Sequence, residues 1–464
     1  MARQITRRDF LNGVSIGLAG AAAIGPHTAL AEAIRSASAI SSDYYPPALT
    51  GIRGNHDGAF ETSHALAWHG EKPSSYQDLN EEYDLIVVGS GISGLAAALF
   101  YQKKAGKDAR VLLLDNHDEF GGHARRNEFH SQGRMLLAPG GSGNFQDSHL
   151  YSPQSKELLR DLGFDIDKVR AAMAPGWDLA SPESQVGLYT DRKHFGKDSV
   201  INGPWMGAWF GMGNYSELIQ SLTVPAAEQQ KLIAFVEGTL ALKKPLPDKN
   251  IKEFLKRTSY ENFLREYVGL AKNTSLLWNT VIGVTFCLGA DSISIAEAVK
   301  WGSPGFSVLG QEAYEALADS MILEDSDVVW MPDGNASLAR QMVRQLIPAA
   351  APGSTIEDLI TTRFDYNKLD LPNHTVRLRL NSSAVNAHNN TDGSVSVSYV
   401  NQGETYRVKG KHCIMACYNG MIPHLCPEMP KEQKEGLAYG VKTPLLVSIV
   451  MVRNRHAFNK SGVE

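Results

Sequence analysis

Cysteine is scarce: the 464 residues contain four, Cys287, Cys413, Cys417 and Cys426. Their spacing forms neither a C-x-x-C metal pair nor a C-x-x-C-H haem attachment site. Cys413 and Cys417 fall in a run, His412–Cys417, that reads as a strand. At about 3.3 Å per residue they lie roughly 13 Å apart, too far for a disulfide. Buried apolar cysteines are therefore expected, and no metal site. Long hydrophobic runs are also lacking, since none reaches the roughly 18 apolar residues of a membrane span. Positive charge is not in excess; the net charge of −5 argues against a general nucleic-acid binder. What is there, 43% apolar residues and 42 glycines, fits a globular protein with two or three domains.

The N-terminus reads as a targeting segment rather than as part of a fold. Thr6-Arg7-Arg8-Asp9-Phe10-Leu11 carries adjacent arginines, Gly13–Gly25 is mildly apolar, and Ala29-Leu30-Ala31 is an A-x-A-like cleavage site. The pattern resembles a twin-arginine export signal over residues 1–31 and implies a periplasmic or otherwise exported protein. A membrane anchor is the alternative, but about 13 residues do not span a bilayer. Residues 32–80, rich in Ser, Ala, Pro, Gly and His, read as an irregular arm.

The informative stretch is Tyr83–Gly94. Leu85–Val88 is a short apolar run suited to a parallel strand buried on both faces. Gly89, Gly91 and Gly94 follow at G-x-G-x-x-G spacing, and Leu95–Tyr101 continues as a helix. The glycines suit a tight turn, a close backbone approach to a pyrophosphate, and close helix–strand packing. The helix N-terminus adds free N–H groups for the phosphates. Ala98 keeps the helix small where it faces the strand. A second strand, Arg110–Leu114, ends at Asp115, about 20 residues past the last glycine, where an acid accepts from ribose hydroxyls. A bare glycine-rich turn would explain the first motif alone; strand, turn, helix, strand and acid in order point to a dinucleotide site.

Gly121-Gly122 follows Asp115 and lets the backbone approach the pyrophosphate from its other side. Arg134–Ala138 reads as another strand, ending in the glycine loop Pro139-Gly140-Gly141-Ser142-Gly143. Between residues 151 and 330 helical stretches alternate with loops, with Pro153–Leu162 and Lys252–Val268 as amphipathic helices. Trp205 and Trp209, relieved by Gly207 and Gly211, either line a pocket for methylenes and a cation or belong to the core; the same choice applies to Trp278 and Trp301. Asp333-Gly334-Asn335 precedes a helix over Leu338–Leu346. Val376–Leu380, Asn381–Val385 and Ser394–Val400 alternate like a β-meander. Leu445–Val452 reads as one more apolar strand.

An acid, a six-residue step and a glycine pair, Asp115 to Gly121-Gly122, resemble the second signature of the FAD-containing amine oxidase superfamily. There the acid is commonly Glu and an Arg follows the pair; this chain has Asp115 and His123, with Arg125 and Arg126 as possible replacements. Residues 115–124, Tyr151-Ser152-Pro153, Pro332–Ala336 and Ala416-Cys417-Tyr418-Asn419 resemble the bacterial spermidine dehydrogenase group, over about residue 40 to the last residue. The resemblance implies an α/β fold: an FAD/NAD(P)-binding Rossmann-like domain (81–150 and 331–445) with an inserted, largely helical substrate domain of mixed α+β type (151–330). Residues 446–464 would start a substrate-domain strand, and the C-terminal part would be incomplete relative to the family.

The implied cofactor is FAD. Its candidate ligands are Gly89, Gly91, Ser93 and Gly94; Asp115 and Asn116; Gly121, Gly122 and His123; and Gly140, Gly141 and Ser142. Val385, by its backbone, is a candidate adenine contact by the resemblance. The implied reaction is hydride transfer from the carbon beside a neutral amine nitrogen, the imine then being hydrolysed. The partners would be a small-molecule amine such as spermidine and an external electron acceptor. No catalytic residue is nominated. A flavin- or NAD-dependent dehydrogenase of a non-amine substrate and an inactive, truncated remnant are the alternatives.

Overall fold

The computed structural model describes residues 44–173, 186–203, 205, 215–247, 249–317 and 328–463. The export motif and the stretch containing Trp209 lie outside them. The chain forms two compact units, residues 1–169 with 330–442, and residues 170–329 with 443–464.

The first unit is built on a six-stranded sheet. The apolar run Leu85–Val88 is the buried end of a longer strand, β1 (Gln77–Val88). Helix α1 (Ile92–Ala105) follows, and β2 (Val111–Leu114) returns parallel to β1 with Leu85 opposite Val111. A hairpin of β3 (Arg126–Ser131) and β4 (Arg134–Pro139) comes next. After the second unit, helix α2 (Ala336–Leu346) leads to β5 (Val376–Arg379), β6 (Ser382–Asn389), β7 (Val395–Asn401) and β8 (Glu404–Met415). The strand order is β6-β7-β8-β1-β2-β5.

Val376–Leu380 is not a meander strand. Its core, β5, runs parallel to β2, with Val111 opposite Val376, and the meander is β6-β7-β8. The chain leaves β5 through Asn381, whose φ of +53° redirects it at once. The meander then covers one face of the sheet, burying Val385, Val397, Tyr399 and Val408 against Ile86, Val88, Leu112 and Leu114. The sheet's other face takes α1, where Gly94 lies close to Val87. Alternate residues of β1 thus serve two layers, which explains an unbroken apolar run. The four cysteines are free, and burial pushes the Cys413 thiol up to about 12.

The second unit has its own core around Phe235, Tyr260, Phe263, Trp278 and Leu255. Trp205 belongs to it, 2% exposed, with its indole N–H donating 2.9 Å to the Ile201 carbonyl. Trp205 and Trp278 are therefore core residues. The expected helix Lys252–Val268 is interrupted. Helix Ile251–Arg257 stops at an extended Thr258, and the chain pairs with residues 293–295 through Tyr260 N to Ile293 O (2.8 Å) and Ile295 N to Thr258 O (3.0 Å). It resumes as Tyr260–Asn262 and a π-helical Phe263–Val268.

Leu445–Val452 forms neither strand nor helix, and no described strand pairs with it. Leu445 and Leu446 are each 66% exposed. Apolar composition favours a strand only when a partner supplies the ladder hydrogen bonds and a surface to cover it.

Candidate functional site

The glycine loop is tight for reasons that can be read atom by atom. Gly89 has φ +106°, and a Cβ on it would stand 2.5 Å from the Ala416 carbonyl oxygen at the end of β8. A Cβ on Gly94 would collide with the Gly89 carbonyl oxygen, so α1 packs on the loop only through a bare Cα. Gly91 is the N-cap of α1 and Ser93, in its first turn, is exposed, which leaves the helix N-terminus accessible. The second glycine pair docks on the first. Gly121 N donates to Ser90 O at 2.9 Å, and a Cβ on Gly122 would stand 3.2 Å from the Gly91 Cα. Gly121 and Gly122, with φ +99° and +61°, adopt backbone that other residues avoid. Two motifs 30 residues apart thus form a single backbone cradle.

Asp115, the acid expected at a ribose, follows β2 directly and is 5% exposed. Its carboxylate is also fully engaged. Oδ2 accepts from Ser90 N (2.8 Å) and Ser90 Oγ (2.7 Å), and Oδ1 from His117 N (3.0 Å), with His117 Nδ1 also at 3.0 Å. Burial opposes its ionisation, but these bonds outweigh burial and hold the carboxyl down at about 2. Asp115 therefore fastens the glycine loop to the turn after β2, and a ribose hydroxyl would exchange with one of these partners. Ser90 and His117 were not legible as site residues, because only the fold puts them against the acid.

The third glycine loop sits at the end of β4. Gly140 N donates to Arg125 O at 2.8 Å, and a Cβ on Gly140 would stand 2.9 Å from that oxygen. Gly141 borders His123. Ser142 is bound by Asn335, whose Nδ2 donates to Ser142 Oγ and to Asn144 O at 2.9 Å each. The Asp333-Gly334-Asn335 turn thereby joins this loop to α2. Val385 lies on β6 between Ala384 and Asn386, where the register against β7 shifts, so its backbone falls at a bulge while its side chain is core.

Residues 44–60 are ordered by this site. Tyr44 Oη and Arg53 both donate to Asp118 Oδ2, and the His56 ring stands 3.4 Å from Asp118 Oδ1. Asn116 donates to the Ala59 carbonyl, and His117 Nε2 lies 3.0 Å from the Gly54 carbonyl. Tyr45 Oη donates 2.7 Å to Glu128 Oε1, and the Arg363 guanidinium stacks on the Tyr45 ring at 3.8 Å. The irregular arm is thus, from Tyr44 onward, a strap across the segment Asp115–Glu128.

Three basic side chains follow the glycine pair, and they differ. His123 is exposed. Arg126 is enclosed by Glu128, the Ile360 carbonyl at 2.8 Å and Asp333 at 3.4 Å. Arg125 donates from Nε to Gly122 O at 3.0 Å, while both its terminal nitrogens are buried without a hydrogen-bond partner. Glu119 beside them is buried, and that burial is the main reason its carboxyl is pushed up to about 7, with Arg125 pulling the other way. Its closest hydroxyl is that of Tyr366, at 3.4 Å. Among the described residues no group of three or more His, Cys, Asp or Glu is placed to hold a metal ion, and no helix is long and apolar enough to cross a membrane.

Residues 87–162 match the family described as NAD(P)-binding Rossmann-like domain. The first unit is accordingly a Rossmann-like α/β fold. No curated protein matches the chain. Among solved structures, the chain is similar to a putrescine oxidase bound to putrescine, at 15% identity and a TM-score of 0.39, over 77% of this chain and 63% of that one. It is also similar to a CLA-producing fatty acid isomerase from P. acnes, at 13% identity and a TM-score of 0.37, over the same shares. The chain thus spans less than two thirds of either protein.

Proposed function

We propose that the first unit binds FAD and that the chain serves a flavin-dependent oxidation of an amine. The observation that carries the reading is the docking of Gly121-Gly122 onto Gly91, because a second glycine pair against the first loop provides for a pyrophosphate approached from two sides. The residues fit the group: a cradle without Cβ atoms, the free N-terminus of α1, and buried guanidinium donors left without partners beside it. Gly89, Gly91, Ser93, Gly94, Gly121 and Gly122 would hold the diphosphate. Asp115 and Asn116 would lie at the ribose, Val385 by its backbone at the adenine, and the Gly140-Gly141-Ser142 loop toward the flavin.

Bound there, a flavin would supply two-electron acceptance, the chemistry that oxidation of a carbon bearing a neutral amine requires. The chain's own contribution in this unit is binding and orientation through backbone N–H groups. The sequence resemblance supports a polyamine such as spermidine as the amine, with the electrons passing to an external acceptor. The motif Arg7-Arg8 with Ala29-Leu30-Ala31 supports export by the twin-arginine route.

The test is purification of the full chain followed by an absorbance spectrum and anaerobic addition of spermidine, putrescine and a non-amine alcohol. Flavin bands bleached by a polyamine, with a dye reduced in turn, are the expected result. Flavin bands untouched by any amine would leave the cofactor assignment and remove the amine. A colourless protein that takes up NAD and not FAD would remove both.

A further inference from the structure

Arg125 and Arg340 are buried arginines that each leave two guanidinium nitrogens without a hydrogen-bond partner; Arg340 is stacked on the Phe364 ring at 4.1 Å, whereas Arg125 has no such ring beneath it among the described residues. Arg125 is 9% exposed, and its stem packs beneath Gly140, where a Cβ would stand 3.3 Å from the Arg125 Cβ. Its Nε is anchored on the Gly122 carbonyl at 3.0 Å, which directs the planar head from the glycine pair toward the strap. Gly54 of the strap closes over that head; a Cβ on Gly54 would lie 3.6 Å from one terminal nitrogen, and its φ is +83°. Both terminal nitrogens lack a hydrogen-bond partner. Burying a guanidinium with donors unmet costs free energy that a fold ordinarily avoids by pairing the group. Adjacent Arg126 shows the ordinary solution, with an acid or a carbonyl at its terminal nitrogens.

What would satisfy Arg125 is an anion with two acceptor oxygens in one plane, since the guanidinium fork binds phosphate oxygens in pairs. Gly122, to which it is tied, is also the residue in contact with Gly91, so the fork begins at the loop that cradles phosphates. Two more basic side chains stand near Arg125, namely Arg53 and His56, the latter held toward its neutral form by burial. Arg53 Nε and His56 Nδ1 are buried without partners, while Asp118 binds the other side of both residues.

We infer that Arg125 is the diphosphate ligand of the dinucleotide, standing in for a cation directly after the glycine pair, and that the strap over residues 53–59 is a wall of the cofactor site. This rests on the dinucleotide reading above and adds to it a residue and a segment: Arg126 is committed to the fold, and Arg125 is reserved for the ligand.

ADP and adenosine, which differ by the diphosphate alone, provide the test on the full chain by calorimetry. Wild type is expected to bind ADP more tightly than adenosine. Arg125→Gln should weaken ADP by about tenfold to a hundredfold, the loss of a charge-assisted pair, and leave adenosine within about twofold. Its melting temperature without ligand should equal or exceed that of wild type, because the change removes a buried charge with unmet donors. Arg125→Met, which keeps the packing of the stem, serves as an independent second variant with the same expectation. Unchanged ADP binding in either variant overturns the inference. So does a parallel loss of ADP and adenosine with a lowered melting temperature, which would mark Arg125 as structural. Wild type that binds neither ADP nor adenosine sinks the dinucleotide reading itself, a different outcome from both.

Discussion

Two arginine sites buried in the first unit, Arg377 with Arg379 and Arg125, are built on opposite principles. Arg377 and Arg379, on alternate positions of β5, are saturated. Arg377 donates from Nε to Asp370 (2.5 Å) and from a terminal nitrogen to Glu81 (2.9 Å) and Tyr83 Oη (3.1 Å). Arg379 donates to Asp370 (2.6 Å), Glu81 (3.0 Å) and Tyr399 Oη (2.5 Å). This network pins β5, β1 and the meander together. Arg125, also buried, has one hydrogen bond, to a carbonyl, and terminal nitrogens without one, with Glu119 near enough to feel its charge. The difference teaches where folding ends and binding begins. A saturated buried charge has its desolvation cost offset within the fold, whereas an unsaturated one leaves that cost for a ligand to offset.

The comparison breaks most easily at its saturated side. Asp370→Ala leaves both guanidiniums buried with an unpaired Nε and should cost about 3–5 kcal/mol in urea unfolding, against a near-zero change for Arg125→Gln without ligand. Equal costs at the two sites would erase the distinction.

Next in size is a pH effect at Glu119. Its folded-state value, about 7, lies above the ordinary 4.5 of a glutamate, so the folded chain keeps a proton that the unfolded chain loses over that window. Stability should therefore fall as pH rises from about 4.5 to about 7 and level off above, by about 2–3 kcal/mol. Glu119→Gln should flatten that slope in melting curves at pH 5, 6 and 8, raising stability relative to wild type on the alkaline side. A slope that survives the substitution assigns the effect to another group.

A smaller loss separates the cradle from both sites. Gly94→Ala forces α1 away from the Gly89 carbonyl and should cost about 2 kcal/mol while removing ADP binding. Retained binding would mean that the loop yields without consequence. Smallest is Tyr45→Phe, which removes the 2.7 Å bond to Glu128 at one end of the strap. A cost of about 1 kcal/mol is expected, together with faster ADP release in stopped-flow chase experiments. Unchanged release would separate the strap from the site.

Much of the first unit was legible because its signals are local. Gly89, Gly91 and Gly94 are spaced by the geometry of one turn, and Leu85–Val88 and Val111–Leu114 are apolar because both faces of the sheet are covered. The hairpin was legible only in half. Arg134–Pro139 shows apolar residues, but its partner reads Arg-Asn-Glu-Phe-His-Ser, and its buried Arg126 and Glu128 look like surface charges until their mutual pairing is known. The turn between them, Gln132-Gly133, takes positive φ at both residues without the asparagine that usually announces it. Asp115 was legible as an acid at the end of a strand, but its four bonds were not. The strap was not legible at all, because Tyr44, Arg53 and Asn116 are ordered by residues distant in sequence. Leu445–Val452 fails in the opposite sense: a strand-like composition without a pairing partner does not make a strand.

The strap also sets an order of events in the making of the protein. Tyr45 is held by Glu128 and by the cation of Arg363, and its ring meets that of Tyr366 edge-on with centroids 5.8 Å apart. A ribosome delivers Tyr45 more than 300 residues before Arg363 and Tyr366. The strap's contacts with residues 116–128 need only the chain just behind it, whereas the clamp on the Tyr45 ring waits for residues 363–366. Gly89 meets the Ala416 carbonyl only once β8 has been made, so the glycine turn and the clamp on Tyr45 are both completed late in synthesis.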